Sequence, residues 1–189
     1  KFDLGRMFGF AYGEKENGAV FSHMAVMYAN ALYKRGFIKE GYKVLKNLLD
    51  SAMDFENSIM YPGIPEYFDN DGRGLYAYLT GAASWYMLTM ITEVFGVRGE
   101  LGNLVIKPAL LPEQFDKDGK AAIKLNFSGR TLKITIHADI DNIQDNNGVY
   151  NKIIRVECDG NELESADLKK VVIMKKRIEE MSCGRCHEI

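Results

Sequence analysis

Tryptophan occurs once in these 189 residues, cysteine and histidine three times each and proline four times. Three cysteines, Cys158, Cys183 and Cys186, make no disulfide framework, and an odd count suits a reducing compartment. An excess of charge of one sign is also missing. The 24 Lys and Arg against 26 Asp and Glu leave a formal net charge of −2. With no basic run either, nothing pulls the chain towards nucleic acid or an anionic membrane surface. No stretch approaches the roughly 18–20 apolar residues of a membrane-spanning helix. Internal repeats, low-complexity tracts, a P-loop and a dinucleotide fingerprint are all absent. The opening "KFDLGRMFGF" has no initiating methionine and no secretory leader. It reads as mid-protein sequence, so the expectation is a fragment of something longer.

What is present is ordinary for a soluble globular protein: 47% hydrophobic and 26% charged residues. The period of the apolar residues changes near residue 100. Before it the spacing predicts helices over 19–36, 37–55 and 77–96. The first stops at Gly36, a natural C-cap. The second places Ile38, Tyr42, Leu45, Leu48, Leu49 and Ala52 on one face. The third is apolar nearly all round, which predicts burial on most sides. Between the last two, 56–76 is rich in Pro, Gly, Asp and Asn and reads as a long loop, a length that usually carries function. After residue 100 alternation predicts strands over 103–108, 121–129, 131–139, 151–160 and 170–176, with hairpin turns at "SGR" (128–130) and "DGNE" (159–162). In "MKKRIEEM" (174–181) strand and helix signals overlap. The fold class expected is α+β: helices over 1–100, then a small antiparallel β-sandwich over 101–189.

Three stretches have the residue types for chemistry. In "KENGAVFSH" (15–23), Lys15 and Glu16 lie in a Gly-flanked loop and His23 sits near the start of the following helix. A lone His on such a helix is more often a hydrogen-bonded core residue than a ligand. In "YPGIPEYFDNDGRG" (61–74), Glu66, Asp69, Asp71 and Arg73 supply charge, while Tyr61, Tyr67 and Phe68 supply flat rings. That mix suits carbohydrate, although a solvated loop anchored by its aromatics has the same composition. "DNDGRG" lacks the spaced oxygen ligands and closing Glu of an EF-hand, so calcium is not expected. In "YLTGAASW" (78–85), Thr80 and Gly81 precede small residues at a helix start. A hydroxyl and unpaired backbone N–H groups there form an anion site, because the helix dipole and the free donors both favour negative charge. Small residues also allow close helix packing, the simpler explanation. "CGRCH" (183–187) fits the C-x-x-C-H spacing of haem attachment, but nothing else in the chain supports haem, and no second Cys/His pair completes a zinc site. No metal and no cofactor are expected.

Taken together, "KENG" followed closely by a helix-borne His, "LTG" with small residues and a Trp, and "GELGNLVIKPALLP" (99–112) resemble the C-terminal part of glycoside hydrolase family 94, the inverting glycoside phosphorylases. The likeness covers most of residues 1–115; beyond that only the general β character matches. The loop at 61–74 is more similar to the 1,2-β-oligoglucan phosphorylases than to the cellobiose enzymes of that family. The resemblance implies that 1–100 are the last helices of an (α/α)6 barrel and 101–189 the C-terminal β-sandwich segment. It implies phosphorolysis of β-glucan oligosaccharides to α-glucose 1-phosphate, a hexosyl transfer with inorganic phosphate as co-substrate. It further implies phosphate binding by His23, Thr80 and Gly81, a sugar contact from Lys15 in the −1 subsite, and a second sugar contact from Glu66. The general acid of the family is an Asp well upstream of these blocks. Neither Asp69 nor Asp71 takes that role, so no catalytic residue is assigned and the isolated piece is expected to be inactive. Family members are commonly dimers, so the full-length enzyme is expected to be a homodimer with oligosaccharide and phosphate as partners. The charge balance points to no nucleic acid and no membrane, and phosphorolysis, which needs cellular phosphate and keeps a charged sugar phosphate inside, suits the cytoplasm. Two other readings stay open: a non-enzymatic carbohydrate-binding module, and the phosphorylase-like domain of a cyclic β-1,2-glucan synthase.

Overall fold

A computed structural model of the chain describes residues 2–61, 63–77, 81–138, 157–162 and 169–189. Thr80 and most of the strand expected over 151–160 lie outside the described residues. The chain divides into two compact units, Lys1–Thr89 and Met90–Ile189.

In the first unit a 3-10 stretch, Phe2–Gly9, precedes a tight turn and the short strand β1 (Val20–Phe21), which runs into helix α1 (Ser22–Lys34). The helix starts later than the apolar spacing predicts, because Val20 and Phe21 pair with Phe68 and Tyr67. It ends at Gly36, whose φ of 85° closes the last turn while the Phe37 N–H donates to the Leu32 carbonyl at 2.9 Å. Helix α2 (Ile38–Met53) buries Leu45, Leu48 and Ala52 along the predicted face, but Leu49 on its margin stays exposed. Gly41 sets how closely α2 meets α1. A Cβ there would lie 2.6 Å from the Tyr33 ring and 3.2 Å from the Ala29 carbonyl oxygen.

The segment expected as a long loop is more ordered than its composition indicates. It holds one helical turn, α3 (Phe55–Ser58), capped by Asp54, and the hairpin of β2 (Tyr67–Phe68) and β3 (Gly74–Leu75). Asp69 makes the hairpin turn, its carboxylate accepting from the N–H groups of Asp71 at 3.0 Å and Arg73 at 2.9 Å. With β1 these strands form a small antiparallel sheet in the order β1–β2–β3. Helix α4 (Gly81–Thr89) completes the unit. It is not buried on most sides, as its sequence predicts: Ala82 and Thr89 are buried, but Met87 is 61% and Leu88 45% exposed. Its contacts lie along one side, towards α1, with the Tyr86 hydroxyl reaching the Leu45 carbonyl of α2 at 3.3 Å.

The second unit opens with a π-helical turn, Met90–Val94. Strands β4 (Val97–Glu100) and β5 (Asn103–Ile106) follow, then β6 (Lys120–Phe127), β7 (Arg130–His137), β8 (Glu157–Cys158), β9 (Asn161–Glu162) and β10 (Val171–Ile173), helix α5 (Lys175–Glu180), and β11 (Cys186–Glu188). The two predicted hairpin turns form, Ser128–Gly129 and Asp159–Gly160, each with two positive φ values as type I′ geometry requires. Two three-stranded sheets, β10–β5–β4 and β11–β7–β6, send Leu104, Ile106, Leu132, Ile134 and Ile173 into one core. Burying each such side chain contributes about 1.5–3 kcal/mol. The α+β class stands, but the sandwich is not purely antiparallel, since β11 runs parallel to β7. "MKKRIEEM" resolves to helix α5, because Ile178 and Met181, three apart, both reach the core. No helix among the described residues is long and apolar enough to cross a membrane.

The C-terminal strand is held by one carboxylate. Asp159 faces His187 Nδ1 at 2.7 Å and accepts from Arg185 at 2.9 Å and from the Glu188 N–H at 3.1 Å. His187 is buried, and its Nε2 lies 2.9 Å from the Ser182 carbonyl, so both ring nitrogens are already engaged by the protein. Cys183 and Cys186 beside it are exposed free thiols, and Cys158 is a buried one whose pKa burial pushes up. Burial pushes the Asp159 carboxyl up, but the hydrogen bonds from His187, Glu188 and Arg185 outweigh it and hold the group below the usual carboxylate range. A carboxylate depressed in the folded state stabilises above its unfolded value, about pH 4, and loses that contribution as pH falls through its folded value. Acid unfolding of the second unit should therefore steepen below about pH 4, and Asp159→Asn should flatten that dependence while lowering stability at neutral pH. Urea unfolding at a series of pH values measures both.

Candidate functional site

The first unit brings two of the sequence blocks into direct contact. His23 is the second residue of α1 and Gly81 the first of α4. The imidazole lies on the Gly81 backbone so closely that a Cβ at position 81 would be 2.7 Å from Cε1 and 2.8 Å from Nδ1. No real side chain tolerates that spacing, so glycine is required by the neighbour here. The other flank of the ring meets Trp85, one turn further along α4, with ring centroids 5.9 Å apart and planes inclined at 48°. His23 Nε2 is buried and has no hydrogen-bond partner among the described residues. A buried ring nitrogen needs a hydrogen-bond partner, and none of the described residues supplies one. Gly81, at the helix start, also carries one of the backbone N–H groups that have no acceptor within the helix. Thr80, the third residue of the expected anion site, lies outside the described residues.

Lys15 and Glu66 belong to a neighbouring cluster built on the β1–β2–β3 sheet. The "KENG" block is a tight turn in which Glu14 and Asn17 bridge and Lys15 takes a left-handed conformation, φ 41°. The turn is tied to the β2–β3 hairpin, because a Cβ on Gly13 would collide with the Asn70 side chain. The Lys15 ammonium sits over the Tyr76 ring at 4.6 Å and the Phe10 ring at 5.9 Å, within cation–π range. Its hydrogen bond to the Tyr76 phenol raises its pKa above the ordinary ammonium value; desolvation opposes this, and the charge of Glu66 adds to it. Tyr67 stacks between Phe21 and Tyr76, with centroids 5.4 and 5.6 Å away, and burial keeps its phenol pKa high. Glu66 is half-buried, and its carbonyl accepts the Ser22 N–H at 2.9 Å. That bond links the Lys15–Glu66 cluster to the start of α1, one residue before His23.

Tyr76, Phe10 and Trp85 were not singled out as site residues from sequence. Only Trp85, as the sole tryptophan, carried a local signal; nothing in the sequence near Tyr76 marks it as the partner of Lys15. Asp69, one of the charges read from the loop, serves its own turn. Among the described residues no group of three or more His, Cys, Asp and Glu is placed to hold a metal ion.

No family model matches the chain. It is similar to a cellobionic acid phosphorylase of Neurospora crassa, 26% identical over 147 residues that cover 71% of this chain. The match covers 18% of the length of that relative. The chain thus resembles a piece of a phosphorylase.

The Lys15 environment yields a direct expectation. Tyr76→Phe removes the phenol that accepts from the ammonium, and the Lys15 pKa should drop back towards about 10.4. An NMR titration of the Lys15 ε-carbon reads the change. An unshifted curve would show that Tyr76 does not set it.

Proposed function

We propose that this chain is part of an inverting glycoside phosphorylase that splits β-glucan oligosaccharides with inorganic phosphate, releasing α-glucose 1-phosphate. The observation that carries the proposal is the seating of the His23 imidazole on Gly81 at the start of α4, with Nε2 buried and without a hydrogen-bond partner among the described residues. The similarity to a phosphorylase supports the reaction class. The helix arrangement is compatible with an (α/α) barrel. The contacts of His23 with Gly81 and of Asn30 with Thr89 make α1 and α4 parallel neighbours, and α2 turns back against α1 through a short connection.

In this reading phosphate sits at the α4 N-terminus. The Gly81 N–H, the Thr80 hydroxyl and the His23 imidazole donate to its oxygens, aided by the helix dipole. Phosphate attacks the anomeric carbon on the face opposite the leaving oxygen, inverting the configuration. A carboxylic acid from elsewhere in the enzyme protonates the leaving oxygen. Phosphate is already a competent nucleophile, so the second carboxylate of an inverting hydrolase is not needed. Lys15, held over Tyr76 and Phe10 with Glu66 nearby, contacts hydroxyls of the sugar in the −1 subsite. Flat rings beside paired charges suit a sugar, whose faces are apolar and whose edges donate and accept. The phosphate requirement fits a cytoplasmic enzyme.

Inorganic phosphate added to the chain should shift the NMR signals of the Gly81 amide and the His23 ring, with sulfate as the competing anion. Hydrogen bonds to a charged acceptor are worth about 1.5–3 kcal/mol. Thr80→Val should therefore weaken phosphate binding by roughly ten- to a hundredfold and leave the fold intact. In the complete enzyme the same change should raise KM for phosphate and spare the affinity for the glucoside. Phosphate affinity unchanged in Thr80→Val would remove that residue from the site, and no response at Gly81 or His23 would sink the assignment.

A further inference from the structure

Helices α1 and α4 meet along one ridge each. On α4, Gly81, Trp85 and Thr89 follow one another at intervals of four and line one side. On α1, His23 and Asn30 are seven apart, two turns along one face. The ridges touch at both ends. At the first, His23 lies on Gly81 and beside Trp85. At the second, Asn30 Nδ2 donates to Thr89 Oγ1 at 3.1 Å. Asn30 is 4% exposed and Thr89 fully buried, so water cannot replace either partner.

A buried polar pair of this kind acts mainly against alternatives. The bond itself adds little net stability, but sliding either helix by one turn, about 5.4 Å, would leave an amide and a hydroxyl buried without partners, which costs more than the bond gains. Apolar contacts are non-directional and carry no such penalty for a lost partner. A single buried polar group is the best-attested device for fixing helix register.

We propose that Asn30 and Thr89 are positioning residues. Their hydrogen bond sets the register of α1 on α4 and so holds the His23 imidazole between Gly81 and Trp85. The consequence for phosphate rests on the function proposed above; the register claim does not.

The test separates the two. In the wild-type chain, NOEs should connect the His23 ring protons to the Gly81 α-protons. In the double variant Asn30→Leu/Thr89→Val both polar groups leave together, the volume is kept and no buried group is orphaned, so the helices should still form by circular dichroism. The His23–Gly81 NOEs should be lost. Thr89→Ser, which keeps the hydroxyl, should retain them, and Thr89→Val, which is isosteric without it, should not; this second comparison repeats the test at one position. NOEs at wild-type strength in the folded double variant or in Thr89→Val would overturn the proposal, as would their absence from the wild type. A parallel titration with inorganic phosphate reads affinity at the Gly81 amide. Weaker binding in the double variant, with wild-type affinity in Thr89→Ser, carries the register through to the anion site. If the wild type ignores phosphate while the NOEs behave as expected, the phosphate reading fails and the register assignment stands.

Discussion

The His23 imidazole fills the space that a side chain at position 81 would need, within 2.7 Å of an added Cβ. This one steric constraint organises the first unit. It demands glycine at the start of α4, and the same two helices meet again two turns further on, where Asn30 donates to Thr89. A second close approach, Tyr33 over Gly41, seats α2 against α1. Three helices thus gather around two positions that carry no side chain. Close-packed interiors respond to a single methyl group, so neither position has slack.

The β1–β2–β3 sheet contributes placement rather than bulk. Its strands are two residues each, too short to be stable alone. It is braced by the Phe21–Tyr67–Tyr76 stack and by the Glu66 carbonyl on the α1 N-terminus. The result sets a cation, Lys15, over aromatic faces beside Glu66, in the same unit as a helix start whose neighbouring imidazole has a buried nitrogen with no partner among the described residues. The Lys15–Glu66 cluster and the start of α1 are tied together through consecutive residues, Ser22 and His23.

Periodicity made the helices legible, because apolar spacing reports the buried face of an element whatever covers it. Gly36 as a helix stop and the two Gly-containing hairpin turns could be read for the same local reason: only residues that accept positive φ suit those positions. Composition misled over 56–76. Its Asp69 turns the β2–β3 hairpin, and turn-forming residues look the same in a hairpin as in an open loop. The apolar character of α4 predicted burial that Met87 and Leu88 do not show, since periodicity cannot say how many neighbours a helix has.

The sequence by itself determined most of the helical and extended segments and where several turns fall, and it marked His23, Gly81, Lys15 and Glu66 as candidates by residue type and position. Those are local properties, written in residue type and spacing. Only the tertiary structure decided that His23 and Gly81 touch, that the Lys15 ammonium lies over the Tyr76 ring, that β11 enters its sheet parallel to β7, and that Asn30 pairs with Thr89. Each is a contact between residues far apart in the chain. Such contacts depend on the angle and register at which elements pack, and these are set by the summed fit of many side chains.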